Sequence, residues 1–283
     1  MEASRPKNLS ELRETLSSFN PRLKLLAGGT DLVVWLNKNP REDWHLVDLT
    51  AVEELKQIDV EGSFLDIGAA VTFRELEESH LVRSKAYCLS RAASMVGSCQ
   101  IRNRGTIGGN IANCSPAADT PPALCALGAL IVMEDWEGKE RIIPAQELNP
   151  AELKSLTSRG EFIKKISIPI DNGDFSFFTK VGSRRAVTIS KLNLAFVCRL
   201  KEGNIQDPRM FLGALAPWPI RAAEAEEFLS SSPIKDLRRD DFLDILSKIV
   251  AETIPTRSSM PYKRQAVKGL GDDLWEGLLE VLR

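Results

Sequence analysis

The stretch Ile101-Arg102-Asn103-Arg104-Gly105-Thr106-Ile107-Gly108-Gly109-Asn110-Ile111, closed by Asp119, constrains this chain more than any other. A Gly-Gly pair carries no Cβ, so the backbone can turn through φ > 0 or pass close to a bulky neighbour. Thr106 and Asn110 bracket the pair with a hydroxyl and an amide. Asp119 offers a carboxylate before Thr120-Pro121, the mark of a helix start. A second such loop lies upstream, in Leu26-Ala27-Gly28-Gly29-Thr30-Asp31-Leu32. Two Gly-Gly loops in one domain predict a long, phosphate-bearing ligand gripped at two points. After a strand, the amides of such a turn form a nest for phosphate oxygens; the alternative is a tight turn that needs Gly only for its φ. Neither loop is a G-x-G-x-x-G fingerprint, and no Gly-Lys-Ser/Thr follows.

The surrounding pattern is mixed. A short helix is predicted at Leu9 to Ser18, a turn at Asn20-Pro21, and a buried strand at Lys24 to Ala27. Asp31 to Asn37 reads as helical, His45 to Leu49 and Phe64 to Ala70 as strands. Thr72-Phe73-Arg74-Glu75 is a capping box opening a helix, and one longer helix is expected from Ser84 to Val96. Past the central stretch come a helix at Ala123 to Ala129, a hairpin around Trp136-Glu137-Gly138, and a strand at Phe162 to Ile168. The turn cluster Asp171-Asn172-Gly173-Asp174 marks the expected boundary between residues 1–172 and 173–283. Beyond it, strands at Phe175 to Val181, Leu194 to Leu200 and Met210 to Leu215 precede helices at Arg221 to Leu229, Asp240 to Glu252 and Pro261 onward.

Several function classes are disfavoured. With 37 basic and 39 acidic residues among 283, the net charge of −2 supplies no broad basic field for nucleic acid. No apolar run approaches the ~20 residues that span a bilayer, and no signal-peptide core opens the chain, so a cytoplasmic protein is expected. Five scattered cysteines without a C-x-x-C pair, and only two histidines, fit a reduced protein without its own zinc or iron–sulfur site.

The pair LLAGGTDL and IRNRGTIGGNIANCSPAADTPPALCALGA resembles the FAD-binding subunits of molybdenum hydroxylases, the xanthine dehydrogenase family. Phe178-Thr179-Lys180-Val181 with Arg184-Arg185, Ala216-Pro217-Trp218-Pro219-Ile220-Arg221, and Arg257-Ser258-Ser259 with Tyr262-Lys263-Arg264 extend the similarity over nearly the whole chain. The resemblance implies an α+β fold: a PCMH-type (vanillyl-alcohol-oxidase-like) FAD-binding domain of two α/β subdomains, then a C-terminal antiparallel sheet packed with helices. It implies FAD contacts from Leu26, Ala27, Gly28, Gly29, Thr30, Asp31, Leu32 and Val33 around the pyrophosphate. Thr106, Gly108, Gly109 and Asn110 would line the other side, with Asp119, Ile163 and Lys180 completing the site and Val96 near the flavin ring. Asp119 could equally be a plain N-cap. Arg102 and Arg104 are either solvated charges or contacts to phosphate or a partner.

No general acid or base is nominated, because the protein's part in flavin chemistry is orientation and electrostatics. Covalent flavin attachment is not expected, since His45 and His80 adjoin neither loop. By the resemblance, molybdopterin and 2Fe–2S clusters belong to a large and a small partner subunit, and NAD or another acceptor takes the electrons. The hydroxylated substrate would be a purine or another N-heterocycle, by family frequency alone, with carbon monoxide or an aldehyde as the alternatives. The chain carries no cysteine-rich cluster like the 4Fe–4S insertion of the acyl-CoA-reducing branch. Two rivals are a stand-alone flavoenzyme with its own small substrate and a non-catalytic assembly protein.

Overall fold

The computed structural model describes residues 2–18, 22–156, 159–184 and 187–282; the expected turn at Asn20-Pro21 and Arg185 lie outside them. The chain opens with β1 (Glu2–Ser4), α1 (Leu9–Ser17), β2 (Leu23–Leu26), α2 (Leu32–Lys38) and β3 (His45–Asp48). These strands form a small parallel sheet in the order β1-β3-β2. Parallel neighbours cannot be joined by a tight turn, and α2 supplies the crossover from β2 to β3. The N-terminus of α2 therefore stands at the carboxyl end of β2, the place where open α/β sheets receive ligands. Asn8 caps α1 by accepting from the Glu11 amide at 2.9 Å. Leu12 and Leu16 of that helix are buried against Leu23, Val47 and Phe162.

A second unit is a five-stranded antiparallel sheet, β4-β5-β8-β6-β7, made of β4 (Ile58–Glu61), β5 (Phe64–Gly68), β6 (Leu130–Asp135), β7 (Glu140–Pro144) and β8 (Glu161–Pro169). Between β5 and β6 run α3 (Phe73–Glu78), α4 (His80–Lys85), α5 (Tyr87–Ser94), α6 (Cys99–Arg102), α7 (Ile107–Asn113) and α8 (Thr120–Ala126); α9 (Pro150–Lys154) precedes β8. The capping box on α3 is present in full, with Thr72 and Glu75 satisfying each other's amides. The single helix expected from Ser84 to Val96 is instead broken at Ala86, which leaves helical geometry at φ −146°, ψ 51°. The carbonyl of Lys85 that the break exposes accepts from Asn172 Nδ2 at 3.0 Å. A contact 87 positions away thus outweighs local helical periodicity.

The last segment is a four-stranded antiparallel sheet in the order β12-β11-β10-β9, from β9 (Phe175–Val181), β10 (Leu192–Lys201), β11 (Asn204–Gly213) and β12 (Ile220–Arg221). Helices α10 (Ala223–Ser230), α11 (Arg239–Thr253) and α12 (Met260–Leu282) cover one face. Phe196, Leu212, Phe242, Leu246, Leu274 and Leu278 fill that core. The opposite face sends Phe178, Ala195, Val197 and Phe211 into the largest core of the protein, beside Leu89, Leu124, Ile131 and Ile166. The architecture is α+β throughout. Among the described residues no helix is long and apolar enough to cross a membrane, and no cluster of His, Cys, Asp and Glu is arranged to hold a metal ion.

Candidate functional site

The two Gly-Gly loops meet. A Cβ built on Gly28 would collide with the carbonyl of Arg104 and reach within 2.8 Å of Gly105 Cα, so the backbones of the two loops pack directly against each other. Only glycine allows that approach. Gly108 serves a parallel purpose at the back of its loop, where an added Cβ would stand 2.7 Å from the Ala69 carbonyl oxygen. Gly108 N and Ile107 N donate to the carbonyls of Ala69 and Val71 at 2.9 and 3.0 Å, tying α7 to the chain leaving β5. Of the four paired glycines, Gly29 alone takes a positive φ, +73°. The Gly108-Gly109 pair is not the open bend predicted from sequence. It forms the first turn of α7, with Thr106 as N-cap accepting from the Gly109 amide at 3.1 Å.

Between the loops lies a cleft of about 350 Å³. Ala27, Gly28, Gly29, Thr30, Asp31 and Leu32 line one wall, Thr106, Gly108, Gly109 and Asn110 another, and Ile163 of β8 belongs to its floor. The first loop presents donors. The amides of Gly28, Gly29, Thr30 and Asp31 find no acceptor among the described residues, and they sit at the start of α2, where the helix dipole favours an anion. The second loop works differently, because all its amides from Ile107 to Asn110 are satisfied within the protein. What it offers is side chains. Asn110 Oδ1 accepts from Thr120 Oγ1 at 2.6 Å, which leaves the Asn110 amide nitrogen free to donate into the cleft. Gly109 is exposed there, and a Cβ on it would stand 2.9 Å from Thr106 Oγ1 and face Ala27 Cβ at 4.0 Å.

Five residues nominated from sequence, Leu26, Val33, Val96, Asp119 and Lys180, do not line this cleft. Leu26 and Val33 close behind the turn, with side-chain atoms 3.2 Å from where a Gly29 Cβ would be. Asp119 and Lys180 lie in the interior, paired at 2.6 Å with side chains 7% and 4% exposed. Asp119 makes no capping bond to α8; its Oδ1 accepts from Ser190 Oγ at 2.5 Å and Asn193 Nδ2 at 3.0 Å. Lys180 also donates to the Met95 and Thr188 carbonyls at 2.7 and 3.3 Å. The pair pins α8 and the end of α5 to β9 and β10. Val96 is partly buried against the main core. Arg102 is bound to Glu77 at 2.9 Å and is not free for phosphate, whereas the Arg104 side chain is exposed. His45 Nε2 contacts Ser4 Oγ at 2.8 Å, and neither His45 nor His80 borders the cleft.

Sequence reasoning missed Lys24, Trp35, Lys154 and Phe162, all part of the lining. They belong to four separate elements and no motif joins them. For Lys24 and Trp35 a faint signal existed, since each lies within a turn or two of the Gly28-Gly29 loop. The buried thiols of Cys88, Cys125 and Cys198 are each pushed up to about 12 by desolvation, so they are inert and stand outside this chemistry.

A cleft with a free amide nest, an open glycine and apolar lining suits a long diphosphate ligand, and the residues present fit a flavin dinucleotide. The chain belongs to the flavoprotein family of the molybdopterin dehydrogenases: residues 1–171 match the family described as the FAD binding domain in molybdopterin dehydrogenase. Residues 177–278 match the CO dehydrogenase flavoprotein C-terminal domain. Among its relatives, the nicotinate dehydrogenase FAD-subunit of Eubacterium barkeri is 30% identical, over 98% of this chain and 95% of that protein. The xanthine dehydrogenase FAD-binding subunit of Escherichia coli O157:H7 is 32% identical, over 86% and 83%. In structure, the chain is similar to one of a Cu,Mo-CO dehydrogenase solved in its cyanide-inactivated form, with a TM-score of 0.84, 25% identity and coverage of 96% and 94%. The α+β arrangement and FAD as the cofactor of this domain follow from the family; in such complexes molybdopterin and iron–sulfur centres belong to partner subunits.

Proposed function

We propose that this chain is the electron-transferring medium subunit of a cytoplasmic molybdenum hydroxylase. In this reading it holds one FAD non-covalently, residues 1–172 form the flavin-binding unit, and residues 173–283 form the smaller unit. A large subunit would carry molybdopterin and a small one the 2Fe–2S clusters, and NAD or another acceptor would receive the electrons. The observation that carries the proposal is the meeting of residues 27–32 with residues 105–110 around one cleft. Relatives named for xanthine and nicotinate support a purine or another N-heterocycle as the substrate of the complex.

The chemistry FAD supplies when bound is the exchange between one-electron and two-electron carriers. The residues here bind and orient. The amides of residues 28–31 would donate to the diphosphate, whose charge the start of α2 favours. Thr106 Oγ1 and Asn110 Nδ2 would donate from the facing wall. The Asp31 carboxylate, which makes no capping bond, would accept from sugar hydroxyls rather than approach phosphate. Leu49, Phe162 and Ile163 exclude water from the floor. Asp119 and Lys180 would serve as an anchor between α8, α5, β9 and β10; direct contact from either requires their pair to open.

The test is to purify the full chain, load it with FAD and follow flavin absorbance anaerobically. NADH should bleach the flavin, and xanthine or nicotinate should not without the partner subunits. Bleaching by such a substrate with the chain alone would instead establish a stand-alone flavoenzyme. A chain that takes up no flavin would be an assembly protein.

A further inference from the structure

We propose that Trp35 is the stacking platform for the adenine ring of the dinucleotide, with Lys24 as its cationic neighbour. This rests on the assignment of the cleft to FAD. At about 350 Å³ the cleft stands near the low end of ligand pockets, roughly 300–1,000 Å³, which suits one half of a dinucleotide. The phosphate nest at residues 28–31 fixes which point of the ligand lies at the start of α2. Trp35 sits one turn further along that helix, its amide donating to the Asp31 carbonyl at 3.0 Å. A helical turn rises about 5.4 Å, so the backbone of Trp35 stands one turn from the nest, close enough for its side chain and the nest to serve neighbouring parts of one ligand.

The indole is held ready. It is 42% exposed, yet it packs at 5.5 Å and 58° against Trp44. Lys24 Nζ lies 5.7 Å from the Trp35 ring centroid and 5.0 Å from that of Trp44. A cation over an aromatic face is attracted to it, so the three side chains brace one another and little ordering remains to be done when a base arrives. Lys24 and Trp35 both line the cleft, together with the apolar Leu49, Ala70 and Phe162. A flat, uncharged purine suits a lining of one indole and these apolar side chains, and its ring nitrogens accept hydrogen bonds that Lys24 can donate. Of the described lining side chains, Trp35 alone carries an indole, the widest surface there for a base to stack on.

The experiment titrates the full chain, stripped of flavin, with FAD and separately with ADP, reading tryptophan emission and bound ligand. Base stacking on an aromatic side chain predicts that Trp35→Leu weakens FAD and ADP together by roughly 5- to 150-fold. Trp35→Phe should recover most of that loss, and the ADP-induced change in tryptophan emission should vanish in both variants. Unchanged binding of both ligands by Trp35→Leu overturns the proposal, as does a loss confined to FAD, which would put the indole at the flavin end. If Trp35→Leu does not fold, the Trp35→Phe emission change decides alone. A wild-type chain that binds neither ligand rejects the FAD assignment as well, whereas tight FAD binding that ignores Trp35 rejects only the platform.

Discussion

Replacing Lys180 with Met separates a structural anchor from a ligand contact. The Lys180–Asp119 pair is 2.6 Å apart and almost without solvent. At an effective dielectric constant near 20, Coulomb's law gives a gross attraction of roughly 6 kcal/mol at that distance. Desolvating the two ions consumes most of it, so the intact pair contributes little net stability. Breaking it is another matter. Lys180→Met leaves the Asp119 carboxylate buried with only Ser190 and Asn193 as donors, and uncompensated buried charges of this kind cost about 3–5 kcal/mol. Against a typical total of about 5–15 kcal/mol that is a large fraction. The double variant Asp119→Asn/Lys180→Met removes both charges and should lose clearly less than Lys180→Met alone. Equilibrium urea unfolding at neutral pH reads the difference, and an unchanged m-value confirms that only stability moved. FAD affinity, measured where each variant is fully folded, should stay close to wild type. A Lys180→Met protein within about 0.5 kcal/mol of wild type that nevertheless loses FAD would refute the anchor and make Lys180 a direct ligand contact.

Gly28→Ala should separate the two loops, because its methyl would strike the Arg104 carbonyl; overpacking of this sort costs typically 1–3 kcal/mol, and both Tm and FAD retention should fall. Gly109→Val should spare the fold better but place a branched side chain between Thr106 and Ala27, so a natively folded variant by circular dichroism should carry no flavin; normal flavin content would move the cofactor out of this cleft. Alkylation of the native chain should label exposed Cys99 and leave Cys88, Cys125 and Cys198 untouched until urea is added, as mass spectrometry of the digest will show. Those three thiols keep their protons to about pH 12, while the unfolded chain releases them near 9. Between these values the native state binds more protons, so stability should fall as pH rises, by up to about 1.4 kcal/mol per pH unit for each thiol. Urea midpoints flat from pH 8.5 to 10.5 would contradict that burial.

The strand, loop and helix around Gly28-Gly29 were legible because a buried strand, a glycine turn and a helical pattern follow one another within a few residues. The second loop was located but its geometry misjudged. Gly108 and Gly109 suggested a bend, yet Thr106 caps them into a helix whose amides are all used, and their bareness serves packing on Ala69 and an open wall. The break at Ala86 was invisible because its partner, Asn172, lies in the linker to the last sheet. Asp119 and Lys180 were singled out individually, but nothing in a one-dimensional string says that positions 61 apart form one buried ion pair. Trp35 and Lys24 escaped notice for the opposite reason. A tryptophan beside a lysine on an amphipathic helix and strand looks like ordinary surface until β2, α2 and β8 close around one cavity.

The most direct trial of the account is a crystal structure of the full chain loaded with FAD. It predicts the diphosphate within hydrogen-bonding distance of the amides of residues 28–31, with Thr106 and Asn110 on the facing wall. A dinucleotide bound elsewhere, or a diphosphate held by lysine and arginine side chains while those amides stay idle, would contradict it.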